Sequence, residues 1–262
     1  MATAPAAPQV GSPGCGGYRH GAVVAPSPAA PLVNVTPTRV LAVYAHPGDA
    51  EVGCGGTLAR WAAAGAEVHL TVCCTGDKGS ADADADADAL AATRSHESSA
   101  AAAVLGALEQ RGLGRPDGSL EDTPELRAEL VGLVRAIRPE VVVCPDPTAV
   151  FFGRHYLNHR DHRVIGWSVL DAVAPAASNP HYFPECGPAH AVAAVWLSGT
   201  LEPDASVDIG AVVEVKAAAL ACHASQVGDT SEWLATVVRE RAEEAGKAAG
   251  VPYAESFRRL LL

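Results

Sequence analysis

Val40-Leu-Ala-Val-Tyr-Ala-His46-Pro47-Gly48-Asp49-Ala50-Glu51-Val-Gly53-Cys-Gly55-Gly56-Thr57-Leu58 is the stretch that most restricts what this chain folds into. Its first part, Val40 to Tyr44, is the continuous apolar run of a strand buried on both faces. The run ends abruptly in a cluster of His, Asp and Glu. From Gly53 to Ala64 small residues and alanines then follow a helical pattern, which Gly65 stops. Glu67 to Cys73 is a second strand-like run, so the three pieces form a βαβ unit with short connections.

The alternation continues along the chain. Helical patterns cover residues 90–105, 124–137, 163–174, 210–223 and 231–246, and strand-like runs cover 140–144, 191–198 and 206–209. Strands alternating with helices imply a mostly parallel sheet covered on both faces. The ligand crevice of such a sheet lies beyond the carboxyl ends of its strands. The loops richest in chemistry, at 46–51, 75–80 and 146–162, all fall there. The Asp-Ala repeat at 81–89 reads as a solvated loop, as does the segment around Pro116-Asp117-Gly118. Residues 1–37, rich in Ala, Pro, Gly and Ser, read as a flexible leader, leaving 38–262 as a single α/β domain.

Charge narrows the partners. A formal net charge of −11 without a compensating basic patch argues against nucleic acid and anionic membranes. The seven cysteines contain no CxxC pair, which suits reduced thiols and a cytoplasmic protein. No signal peptide or membrane-length apolar run stands out.

Metal chemistry is the strongest functional signal. His46 and Asp49, three apart on a tight turn after a strand, can offer one nitrogen and one carboxylate oxygen to zinc or another divalent ion. His159-Arg160-Asp161-His162 places two histidines three apart at a helix entrance, where they point the same way, so one or both can complete the site. Three protein ligands with one open position is the catalytic arrangement rather than the structural one. His155, His181 and His190 sit in loops that can line the same pocket.

The two motifs together resemble a family. Ala45-His-Pro-Gly-Asp-Ala-Glu-Val-Gly-Cys-Gly-Gly-Thr-Leu58 is similar to the Ala-His-Pro-Asp-Asp…Gly-Gly-Thr signature of the LmbE-like, PIG-L zinc N-deacetylases. His159-Arg-Asp-His162 is similar to their second motif, usually His-Pro-Asp-His. The likeness runs on through Thr75-Gly-Asp-Lys-Gly79, Arg94-Ser-His-Glu97, Lys216 with His223-Ala-Ser-Gln226, and Tyr253-Ala-Glu-Ser-Phe257. It implies a Rossmann-like three-layer sandwich and zinc-dependent removal of an acetyl group from an N-acylated amino sugar or related conjugate. Carried over position by position, it implies His46, Asp49 and His162 as metal ligands and His159 as the group that polarises the carbonyl or holds the oxyanion. Arg94 falls near substrate-contacting positions, and His223 at the rim of the pocket. A homo-oligomer is expected by the same likeness.

One departure stands out. The first Asp of the family's His-Pro-Asp-Asp motif is its expected general base, and this chain has Gly48 there. Glu51, Asp77, Asp146 and Asp161 are the carboxylates available to replace it. Asp161 is counted with His159 as catalytic, either as that base or as an acceptor that orients a ligand histidine. The alternatives are a metal- and ligand-binding protein that turns over slowly or not at all, and a family member whose metal supports a different reaction needing no base at that corner.

Overall fold

A computed structural model of the chain describes residues 30–154, 156–228 and 231–262. In chain order the elements are β1 (Arg39–Tyr44), α1 (Asp49–Ala63), β2 (Glu67–Cys74), α2 (Ala87–Leu105), β3 (Glu109–Arg115), α3 (Pro124–Ile137) and β4 (Val141–Pro145). A small hairpin of β5 (Phe151–Phe152) and β6 (Tyr156–Leu157) precedes α4 (Arg160–Asp171). The rest comprises β7 (Ala194–Ser198), β8 (Ala205–Asp208), α5 (Val213–Ala221), α6 (Ala224–Val227), α7 (Ser231–Ala249) and β9 (Ala254–Leu261).

The main sheet runs β3-β2-β1-β4-β7-β9-β8. Its first five strands pair in parallel, and β9 lies antiparallel between β7 and β8. Alternation along β1 builds a core on each face. Val40, Ala42 and Tyr44 pack with residues of α1, α2 and α5, while Leu41, Val43 and Ala45 pack with residues of α3 and α4. The result is the expected α/β three-layer sandwich.

Helix α1 packs tightly against Ile209, just beyond β8. A Cβ at Gly56 would lie 2.8 Å from Cδ1 of Ile209, which accounts for a glycine in mid-helix. The helix is also tied through a buried ion pair. Lys216 Nζ lies 2.5 Å from Glu255 Oε1 and bonds Val52 O at 2.9 Å, while the Glu255 carboxylate accepts from Gly56 N and Thr57 N. One charged pair therefore joins α5 and β9 to α1.

Several elements differ from the sequence expectation, each for a physical reason. Helix α1 begins at Asp49 rather than Gly53, because Gly48 turns the chain at φ +100° immediately before it. Helix α4 begins at Arg160, capped by His159, whose side chain accepts from Asp161 N. Strand β3, expected as loop, reads Glu-Gln-Arg-Gly-Leu-Gly-Arg, a polar sheet edge without an apolar run to reveal it. Strand β9 was likewise not expected as a strand. The leader expected over 1–37 lies outside the described residues as far as residue 29. Its last stretch is bound to the domain: Leu32 bridges Ser206, and Trp61 Nε1 donates to Val35 O at 2.6 Å.

Candidate metal centre

The strand order reverses across β1 and β4, since the chain runs outward to β2 and β3 on one side and to β7 on the other. The loops after those strands therefore splay apart and leave a crevice. His46 and Asp49 enter it from the β1–α1 loop, and Asn158, His159, Asp161 and His162 enter from the start of α4. The β1–α1 loop folds back on itself, with Asp49 N donating to His46 O at 3.2 Å and His46 N donating to Asp49 Oδ2 at 2.7 Å.

Three donor atoms meet at the centre. His46 Nδ1 is 3.2 Å from His162 Nε2, His162 Nε2 is 3.1 Å from Asp49 Oδ2, and His46 Nδ1 is 3.3 Å from Asp49 Oδ2. Four ligands placed tetrahedrally at ~2.0–2.1 Å from a zinc ion stand about 3.3–3.4 Å from one another. The triangle thus has the dimensions of one face of such a tetrahedron, and a ring nitrogen of His159 lies within 4.8 Å of those of His46 and His162.

The far side of each ring supports the same assignment. His162 Nδ1 faces Asn158 Oδ1 at 3.0 Å, and Asn158 Nδ2 donates to Ala149 O at 2.8 Å, so the oxygen is the acceptor presented to the imidazole. His46 Nε2 faces two carboxylates, Asp117 Oδ1 at 3.0 Å and Asp161 Oδ2 at 3.2 Å. Each ring therefore keeps its proton on the outer nitrogen and turns a lone pair inward. Without a cation, burial lowers the His46 pKa, but hydrogen bonds to Asp117 and Asp49 outweigh it and raise the net value. Burial raises that of Asp49, and the neighbouring His162 and His46 carry it well below the usual carboxylate range.

Asp161 is 0% exposed and accepts from Gly118 N at 2.7 Å and Leu120 N at 3.2 Å. Its oxygens face His46 and two backbone amides, the surroundings of an acceptor that orients a ligand. His159 caps α4 through Nδ1, which puts its proton on Nε2, and its ring lies edge-on to His46 with centroids 4.8 Å apart. Burial and the adjacent His46 lower its pKa, favouring the neutral imidazole.

The other expected residues distribute around this centre. Arg94 is buried and donates to Gly76 O at 2.9 Å and Pro47 O at 3.0 Å, tying the loop after β2 to the metal loop. His223, expected at the rim, is 2% exposed and stands behind Gly48, with Nε2 3.6 Å from Glu51 Oε2. Glu51 thus faces His223. Asp146 Oδ1 accepts from Thr148 N and Oγ1, closing its own turn. Asp77 Oδ1 accepts from Thr75 Oγ1 and Asp117 N. His190, a candidate for the pocket lining, instead bonds Pro139 O just before β4, at the opposite end of the sheet. His181 is exposed, and His155 lies outside the described residues.

Asp117 is the member that sequence reading missed. It follows the edge strand β3, and a hydrogen bond from His46 lowers its pKa. Recognising β3 would have placed Pro116-Asp117-Gly118 at the carboxyl end of a parallel strand, beside the other candidates.

The family pattern of PIG-L, described as GlcNAc-PI de-N-acetylase, matches residues 41–173, from β1 through α4 and on beyond it. The chain belongs to the PIG-L family. Within that family it is 32% identical to a diacetylchitobiose deacetylase of Thermococcus kodakarensis over 84% of this chain and 82% of the relative. It is also 32% identical to a 1D-myo-inositol 2-acetamido-2-deoxy-alpha-D-glucopyranoside deacetylase of Rhodococcus jostii, over 72% of this chain and 82% of that one. Among solved structures, the N,N'-diacetylchitobiose deacetylase of Pyrococcus horikoshii in complex with its inhibitor MPG superposes with a TM-score of 0.78 and 29% identity. That match covers 86% of this PIG-L-family chain and 84% of the other. No helix among the described residues is long and apolar enough to cross a membrane.

Proposed function

We propose that this protein is a metal-dependent hydrolase that removes an acetyl group from an N-acetylated amino sugar or a conjugate of one. The observation that carries the reading is the triangle of His46 Nδ1, Asp49 Oδ2 and His162 Nε2, with sides of 3.1–3.3 Å. Curated relatives that deacetylate N-acetylglucosamine-type sugars support the substrate class.

His46, Asp49 and His162 would hold the ion, and two imidazoles with one carboxylate suit zinc. The ion, when bound, would polarise the acetamide carbonyl and bring the pKa of water toward ~7. The protein supplies the rest. Asp161 and Asn158 fix the tautomers and angles of the two ligand histidines. His159, neutral with its proton on Nε2, donates a hydrogen bond to the carbonyl oxygen as negative charge develops there. Arg94 keeps the metal loop and the post-β2 loop in register. Asp117, on the same rim, offers a carboxylate oxygen to a sugar hydroxyl.

The test is to measure bound metal and acetate release from N,N'-diacetylchitobiose and from an inositol N-acetylglucosaminide, before and after chelation. The expected result is close to one divalent ion per chain and turnover that chelation abolishes and metal restores. Bound metal without release from either substrate would instead identify a binding protein.

A further inference from the structure

Gly48 leaves the loop beside Asp49 without a side chain, and the imidazole of His223 packs against that gap. A Cβ at position 48 would lie 3.8 Å from Cγ and Cδ2 and 3.9 Å from Nε2 of the ring. His223 thus stands against the place where a carboxylate at position 48 would project. The ring is 2% exposed, and neither of its nitrogens has a hydrogen-bond partner among the described residues. Behind it Glu51 is 1% exposed, with Oε2 3.6 Å from His223 Nε2 and Oε1 unpartnered as well.

Buried imidazoles and carboxylates without partners are rare in folded proteins and call for an explanation such as a catalytic role or a water. Packing does not supply one here, because an apolar side chain would fill the same volume without the desolvation cost. The pair comes from two separate elements, Glu51 from α1 and His223 from the turn between α5 and α6. Both flank the one residue of the metal loop that has no side chain.

We propose that His223, backed by Glu51, takes the proton of the attacking water in the deacetylation, and the assignment rests on the reading of the site given above. One O–H bond of the water breaks and its proton passes to an imidazole nitrogen of His223. The water oxygen bonds to the acetamide carbon. When the C–N bond then breaks, His223 returns the proton to the departing nitrogen, leaving acetate and the free amine. Glu51 holds the imidazolium formed between these two transfers.

The experiment uses the full, metal-loaded chain with N,N'-diacetylchitobiose as substrate, and reads kcat, KM and metal content together. His223→Gln keeps a hydrogen-bonding side chain but cannot relay a proton, and His223→Ala removes the ring. Both are expected to lower kcat by roughly 10²–10⁴-fold, the usual worth of a general base, with KM and bound metal unchanged. Adding Gly48→Asp to His223→Ala is expected to recover activity, because a carboxylate then reaches the space the ring vacated. Wild-type kcat in His223→Gln, loss of metal from both variants, or no recovery with Gly48→Asp would each overturn the assignment. A metal-loaded wild type that releases no acetate would overturn the deacetylase reading and this assignment with it. Active wild type with an indifferent His223→Gln would overturn this assignment alone.

Discussion

Asn158 presents its side-chain oxygen to Nδ1 of His162 at 3.0 Å while its amide nitrogen is held by Ala149 O at 2.8 Å. The two contacts decide which way the amide faces, and the amide decides which nitrogen of His162 carries the proton. Asn158→Leu should therefore weaken divalent-metal binding about 10–100-fold while leaving the ligand itself in place. Competition with a chelator of known affinity measures this. An unchanged affinity would mean that the helix alone sets the ring's orientation.

Asp161 does for His46 what Asn158 does for His162, but from a fully buried position with two backbone amides on its other flank. Asp161→Asn keeps the shape and loses the charge, so it should lower metal affinity and kcat while the protein still folds. If Asp161 were instead the proton acceptor, the same variant would lose kcat at undiminished metal affinity. Titrating metal into the variant and then measuring turnover at saturation separates the two roles.

The residues of the His46–Asp49–His162 triangle were legible in the sequence as candidates to meet, because each sits in a short motif whose spacing the backbone imposes. His46 and Asp49 share one turn, and His159 and His162 share one helix entrance. Their supports were harder to see. Asp117 depends on a polar edge strand with no apolar signature, and Asn158 belongs to a loop whose direction only the fold decides. The meeting of His223 with Gly48 joins residues 175 positions apart in sequence, and no local pattern predicts it. Parallel pairing followed from the alternation of elements for β1, β2, β4 and β7. The place of β9 did not, since its antiparallel insertion between β7 and β8 depends on a tertiary fit.

Arg135 organises a segment the sequence left irregular. Its five N–H groups are shared among six backbone carbonyls within hydrogen-bond distance, those of Ala176, Ala177, Asn179, Tyr182, Phe183 and Gly187. None of these partners is a carboxylate, so the segment around the guanidinium is shaped by a charge bonded to dipoles. Arg135→Met removes the donors and leaves the carbonyls facing an apolar chain. It should destabilise the fold by roughly 3 kcal/mol or more, given that a hydrogen bond to a charged group is worth ~1.5–3 kcal/mol and several are lost together. Urea unfolding reads the loss directly. A change below ~1 kcal/mol would show that water replaces the guanidinium without strain.

Lys216 and Glu255 make a buried charge pair away from the proposed metal site. Their side chains are 7% and 5% exposed, and the pair reaches α1 through Val52 O, Gly56 N and Thr57 N. Removing one partner strands the other in a medium that solvates it poorly. Glu255→Gln and Lys216→Met should each cost about 3–5 kcal/mol. The double variant should cost less than the sum of the two, since no charge is then left unpaired. Because α1 begins at Asp49, loosening its middle should also reach the metal ligand. Each single variant should therefore bind metal more weakly than the double variant does. Denaturant melts of the four proteins, with and without saturating metal, measure both effects. Strict additivity in the melts would mean that the two side chains stabilise α1 independently through the backbone.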